Sequence, residues 1–246
     1  MSLYFDTHAH LLDAPMTLLN HPTLCVTTDS NQWLSALQYA QSCDYFLPAI
    51  GLHPWFVSVC SEQDIADLEQ LIQAFPVAAL GEIGLDFSPQ YKMTRMMQLE
   101  VFEQQLELAL NFQLPVSIHV VKAHNEMLSL LKQYPVKGVI HGLGSSLQIA
   151  HSYLSLGMKI GVNGILCRPN ARRYQQMVQQ LPLDSFVLET DFPNIHFPEQ
   201  KAALNDIEQV ARRMACLTDK PLSEILDCTY NTASEIFLRN PYEPSL

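Results

Sequence analysis

The sequence predicts a parallel (β/α)8 barrel of the TIM type, on three observations. Eight short apolar runs with β-forming residues alternate with eight stretches of helical pattern. The length, 246 residues, suits an α/β barrel built as one domain over 1–246. Polar side chains also recur at one phase of the repeat, just where each apolar run ends.

The strand candidates lie near 3–8, 23–28, 45–52, 77–83, 115–121, 137–141, 158–163 and 186–190. Helical patterns follow them near 31–42, 63–74, 94–113, 123–133, 146–156 and 171–180, with two more after the last run, near 200–216 and 222–238. The clearest is 94–113, where Met97, Val101, Leu106, Leu108 and Phe112 stand apolar among glutamines and glutamates, and Asn111 and Pro115 bracket the exit. No Pro/Ser-rich linker, repeat or low-complexity tract interrupts the alternation.

Composition narrows the function classes. Hydrophobic residues at 48% with 16% charged residues describe a globular chain with a packed core. The N-terminus lacks a basic region followed by a long apolar run, and no apolar stretch reaches membrane-spanning length. Cys25, Cys43, Cys60, Cys167, Cys216 and Cys228 form no Cys-x-x-Cys pair and read as free thiols of a cytoplasmic protein. A net charge of −11 argues against a general nucleic-acid coat, because phosphate contacts need lysine and arginine. It leaves room for a phosphodiester substrate, since clustered carboxylates hold divalent cations.

The candidate chemistry sits at the strand ends, where barrel enzymes place it. In Asp6-Thr7-His8-Ala9-His10 the alternation of an extended strand turns both imidazoles to one side, with Asp6 on that side too. Two imidazoles with a carboxylate suit a borderline divalent metal. The third run ends at His53, the fourth carries Glu82, and the fifth to eighth end at His119, His141, Asn163 and Asp191. His53, beside Pro54, either satisfies a loop carbonyl or serves the site. Glu82 lies inside an apolar run, where a carboxylate is costly unless paired or ligating. Glu189 could share the face of Asp191.

In these residues the chain resembles the TatD family of metal-dependent hydrolases, many of which are deoxyribonucleases. The marks are Asp6-x-His8-x-His10, Gly51-Leu-His53-Pro54, Gly81-Glu82-Ile-Gly84-Leu-Asp86 and Arg95-x-x-Gln98-x-x-x-Phe102-x-x-Gln105-Leu106. They continue in Leu114-Pro-Val-x-Ile-His119, the His141 segment, Leu188-Glu189-Thr190-Asp191-x-Pro193 and Asn231-Thr232. The resemblance implies two divalent cations, or three, held by His8, His10, Glu82, His119, His141 and Asp191, with Glu82 bridging. Two departures stand out. Val121 replaces an arginine usual in the family, and Gly142-Leu143-Gly144-Ser145 replaces a Cys-Phe-Ser-Gly stretch. Both bear on phosphate recognition, and Lys122, His124 or Arg168 is the substitute cation the sequence offers.

The expected function is a metal-dependent hydrolase, a phosphodiesterase acting on DNA ends from the 3′ side with Mg, Mn or Zn. Asp191 is the expected general base, Glu82 the bridge, and His53 an assisting or substrate-contacting group. A small-molecule amidohydrolase cleaving an amide, ester or lactone is the alternative, and a non-catalytic metal-binding protein ranks last. No nucleophile elbow and no glycine-rich phosphate loop is present. No membrane and no obligate protein partner is expected.

Overall fold

The structure is a computed structural model that describes residues 4–13, 19–59, 62–195 and 203–238. Eight parallel strands run in sequence order: β1 (Asp6–Ala9), β2 (Thr23–Val26), β3 (Phe46–Ile50), β4 (Ala79–Asp86), β5 (Val116–Val121), β6 (Gly138–Ile140), β7 (Met158–Val162) and β8 (Phe186–Leu188). Helices α1 (Ser30–Ala40), α2 (Glu62–Ala74), α3 (Arg95–Asn111), α4 (His124–Gln133), α5 (Leu147–Ser155) and α6 (Arg172–Gln180) connect successive strands from β2 onward. After β8 come α7 (Ile207–Thr218) and α8 (Leu222–Phe237). The eight-part alternation predicted from the sequence is therefore present. The start of the predicted 200–216 helix falls partly outside the described residues, and the observed helix begins at Ile207 after a short 3-10 turn.

The seam between β8 and β1 is bridged by backbone. Asp191 N–H donates to the His8 carbonyl (2.9 Å), and His10 N–H donates to the Phe192 carbonyl (2.7 Å). The Thr7 hydroxyl adds a bond to the Leu188 carbonyl at 3.0 Å. These bonds nearly close the barrel and bring the ends of the first and last strands into contact.

The pleat divides the side chains into two sets. Outward residues such as Ile50, Leu80, Ile118, Ile140, Ile160 and Leu188 pack with helix residues that include Trp33, Leu37, Phe102, Leu106 and Met127. A second cluster joins Leu24, Val26, Ala49, Ala79, Val139 and Val187 to Ala233 and Phe237 of α8. Two residues further along the same pleat come His119 after Ser117, His141 after Val139, and Glu189 then Asp191 after Val187. The apolar layer thus floors the barrel, and the polar residues stand above it at the C-terminal mouth.

β4 is the longest strand and is buried throughout. Its Gly84 pairs with His119 of β5 and has φ +145°, and a Cβ there would stand 2.0 Å from the His119 carbonyl oxygen. Only glycine allows this approach, which draws the β4 carboxylates onto the β5 histidine.

Helix α3 departs from the expected pattern. Its buried face is Gln98, Phe102, Gln105, Leu106 and Ala109, while Met97 is half exposed. The two glutamines are seven residues apart, two turns, and so share a face. Gln98 Oε1 accepts from Asp86 N–H (2.8 Å) and its Nε2 donates to the Asp86 carbonyl (2.9 Å). Gln105 clasps Leu52 in the same way, at 2.7 and 3.2 Å. Each amide replaces a missing strand neighbour, so α3 fixes the end of β4 and the segment that carries His53. Gln98→Ala is expected to leave a buried N–H and C=O unpaired and to cost about 1–3 kcal/mol. Urea unfolding would show a lowered midpoint; an unchanged one would mean the clasp is energetically idle. Among the described residues no helix is long and apolar enough to cross a membrane.

Candidate active site

At the mouth lies a cavity of about 420 Å³ whose lining includes His10, His53, Trp55, Glu82, His119, His141 and Asp191. Glu82, from the middle of β4, stands at its centre and is 3% exposed. Its Oε2 faces the Nε2 atoms of His8 (3.4 Å) and His10 (3.5 Å). Its Oε1 faces His119 Nδ1 (3.1 Å) and His53 Nε2 (3.7 Å). The carboxylate therefore presents one oxygen to each of two histidine pairs. Asp191 lies across the cavity, with Oδ1 3.5 Å from His10 Nε2 and Oδ2 3.6 Å from His141 Nε2.

Neighbouring groups aim these side chains. His8 Nδ1 meets the Ser117 hydroxyl at 3.0 Å, which turns Nε2 to the cavity. His141 is stacked on the His8 ring with centroids 3.7 Å apart, and its Nδ1 is 2.9 Å from Glu189 Oε1. That same Glu189 oxygen accepts from Gly142 N–H (2.9 Å) and Asn163 Nδ2 (2.9 Å). Gly161 makes room for it, since a Cβ there would lie 1.9 Å from Glu189 Oε2. A carboxylate behind a histidine in this way orients the ring and strengthens it as a ligand. Gly161→Ala is accordingly expected to displace Glu189 and to weaken metal affinity by roughly 10–100-fold. Competition against a chelating dye measures this, and wild-type affinity would show that Glu189 does not position His141.

Asp191 adopts φ +53°, a left-handed backbone that is uncommon for a non-glycine residue. It is held there by Asn194, whose N–H donates to the Asp191 carbonyl (2.7 Å) and whose Nδ2 donates to Oδ1 (3.1 Å). His53 Nδ1 accepts from Trp55 N–H at 3.2 Å. In the neutral ring the proton is then on Nε2, pointing toward Glu82.

The charges follow from this crowding. Burial works to raise the Glu82 carboxyl, but His53, His8 and His119 outweigh it and hold it well below the usual carboxylate range. Asp191 is lowered likewise, burial being overcome chiefly by His141 and His10. Burial opposes a charge on His141, yet Glu189 and Asp191 lift it to about 10. His10 and His119 are raised in the same manner by the facing carboxylates. His53 is pushed down to about 3 by its burial, and His8 is lowered for the same reason.

Among the described residues three groups of side chains lie close enough to hold a cation: His8, His10 and Glu82; His8, His141 and Asp191; and His53, Glu82 and His119. The fit is chemical as well as geometric, because a buried carboxylate flanked on each side by imidazoles is a ready donor set for borderline divalent ions.

Other expected residues lie elsewhere. Asp6 does not reach the cavity. It is fully buried, and its carboxylate accepts from Thr190 N–H (3.0 Å), the Thr190 hydroxyl (2.6 Å) and His8 N–H (3.2 Å). It pins β1 to the segment after β8, and burial raises its pKa to about 7 against those bonds. Asn163, expected among the donors of the mouth, is turned instead to Glu189 and to Ile165 N–H. Lys122, His124 and Arg168 are not among the residues lining the cavity, and among the described residues none of that lining is lysine or arginine. His124 Nδ1 is 2.9 Å from the Tyr153 hydroxyl, and burial lowers its pKa, so it supplies no cation.

Sequence reasoning passed over Trp55 and the role of Asp86. The Trp55 indole N–H donates to Asp86 Oδ2 at 2.7 Å, and the same oxygen is 3.4 Å from His119 Nε2. Asp86 was visible only as the end of a motif, and nothing local to Trp55 signals a partner 31 residues away.

A (β/α)8 barrel with a histidine and carboxylate pit at its C-terminal mouth defines the class of metal-dependent hydrolases. Within that class the chain belongs to the TatD related DNase family, whose model it matches over residues 5–238. It is similar to the uncharacterized metal-dependent hydrolase YjjV of Escherichia coli, 33% identical over 95% of this chain and 97% of that one. The YjjV crystal structure aligns with a TM-score of 0.87 at 28% identity, covering 96% and 98% of the two chains. The 3′-5′ ssDNA/RNA exonuclease TatD of Edwardsiella piscicida is 29% identical over 85% of each chain.

Proposed function

We propose that the protein, acting as one domain over 1–246, is a phosphodiesterase that removes nucleotides from the 3′ end of single-stranded nucleic acid. The single observation that carries the reading is Glu82, whose two oxygens face two separate histidine pairs. In this proposal His8, His10, Glu82, His119, His141 and Asp191 would hold two divalent cations, with a third group of donors at hand. Bound there, the cations supply charge for the attacked phosphate and acidify the attacking water. The imidazole donors suit zinc or manganese, and the carboxylates admit magnesium. Asp191, aimed by Asn194, takes the proton of the attacking water on its carboxylate. His53, protonated on Nε2, donates to substrate oxygen. The relatives named as exonucleases support the substrate class. The five cysteines among the described residues are free, which suits a reducing cytoplasm.

A second reading has its own support. Among the described residues no lysine or arginine lines the cavity, which fits a small neutral amide, ester or lactone. One experiment separates the two. Metal-free protein is restored with magnesium, manganese or zinc and given 5′-labelled single-stranded DNA, with Glu82→Ala alongside. A ladder shortening from the 3′ end, dependent on metal, upholds the nuclease reading. Tightly bound metal without cleavage transfers the assignment to the small-molecule hydrolase.

Metal capture should depend on pH in a definite direction. A ligating imidazole must be neutral. In the metal-free protein His10, His119 and His141 are raised, so protons compete with the metal and leave when it enters. Affinity is therefore expected to rise from pH 6 to pH 8. Calorimetry in two buffers of different ionisation enthalpy reads the released protons directly; no release would show that the three rings are already neutral.

A further inference from the structure

Trp55 is an anomaly among the large side chains at the mouth. It is 47% exposed, lines the cavity and yet is rigidly held. One side of the indole is backed by the Tyr91 ring, with centroids 5.5 Å apart and planes 18° from parallel. Its N–H is tied to Asp86 Oδ2, and the His53 and His119 rings stand nearly perpendicular to it, with centroids 4.8 Å and 6.0 Å away. Leaving an indole open to water sacrifices apolar burial, and pinning it there adds an ordering cost. The arrangement makes sense where a flat partner completes the stack.

We propose that Trp55, supported by Tyr91, is a stacking platform for the terminal base of a single-stranded nucleic acid. The proposal rests on the nuclease reading above and specifies how that substrate is held. Among the described residues the cavity lining offers no lysine or arginine to a phosphate, and the chain carries a net charge of −11. Of the described groups at the mouth, an open aromatic face is the one suited to hold the base of a strand end. Stacking there tolerates any base because each has a π face. The platform stands within ring contact of His53 and His119, so a base seated on it delivers its own phosphate to the Glu82 cluster. A duplex, whose bases are already stacked, could not use it without fraying.

The protein carries its own reporter. It has two tryptophans, and Trp33 is buried at 1% exposure with its N–H on the Gly51 carbonyl. Quenching of tryptophan emission on adding a strand therefore reads Trp55. The experiment uses magnesium-loaded protein and short oligonucleotides whose 3′-terminal linkage is a phosphorothioate, one with a terminal base and one abasic at that nucleotide. Binding is followed by quenching, and cleavage is measured with the natural linkage. The normal end should quench and the abasic end should not. Trp55→Ala should raise KM for the normal strand about 5-fold to 150-fold, with Trp55→Phe restoring most of it. The substitution and the loss of the base should together cost no more than either alone, because both remove one stack. Equal quenching by the two strands, or a Trp55→Ala loss that is the same on both, overturns the platform and leaves the nuclease standing. A wild-type protein that cleaves neither strand overturns the nuclease reading and the platform with it.

Discussion

Glu82→Ala is expected to abolish turnover, by more than about a thousandfold, and to lower the bound metal while leaving the fold in place. The size follows from what one side chain does. Its carboxylate is the anionic centre between His8 and His10 on one side and His53 and His119 on the other. Removing it leaves imidazoles without the charge that holds cations near them. Several kcal/mol of transition-state stabilisation depend on those cations, and each 1.36 kcal/mol is a factor of ten in rate. The fold should survive, because the backbone N–H of Glu82 is bonded to the Thr27 carbonyl and the strand keeps its neighbours. Metal analysis of the purified variant, circular dichroism and the DNA ladder assay give the three readouts. Full metal content with full activity would remove Glu82 from the centre of the site.

The residues around Glu82 also show how far a sequence can be read. The eight strands were legible because each is a short apolar run with its own period. The mouth was legible because a polar residue after such a run can only point into the barrel or out of it. His119, His141 and Asp191 follow from strand position, whereas Glu82 reaches the cavity through the register shift between Leu80 and Ile83, and the structure brings all of them and His8 and His10 together. Contacts between distant elements left no such trace. Asp6 obeys the same alternation as His8, yet Thr190, 184 residues away, claims its carboxylate. Gln98 and Gln105 look like the polar side of α3 but face the barrel, because two backbone segments there need partners. Periodicity reports the direction of a side chain from its own element, not what waits opposite. The same gap hid the pairing of Trp55 with Asp86 and made Lys122, His124 and Arg168 seem candidates for a cavity that they do not line.

Asp191→Asn should lower kcat by about 10²–10⁴-fold, the usual contribution of a positioned base, with KM changed little. The amide nearly matches the carboxylate in shape, so Asn194 still holds the residue at its left-handed φ, and the bond from Asp191 N–H to His8 that bridges the barrel seam is backbone. What is lost is the negative charge between His10 and His141 and the capacity to accept a proton. A pure substrate contact would behave otherwise, raising KM while sparing kcat. The comparison with Glu82→Ala sharpens the test. If Asp191 acts mainly on the proton, its variant keeps most of its metal and fails in turnover, whereas the Glu82 variant loses both together. Single-turnover cleavage at saturating DNA, set beside metal content, distinguishes them. A KM effect alone would reassign Asp191 to substrate binding.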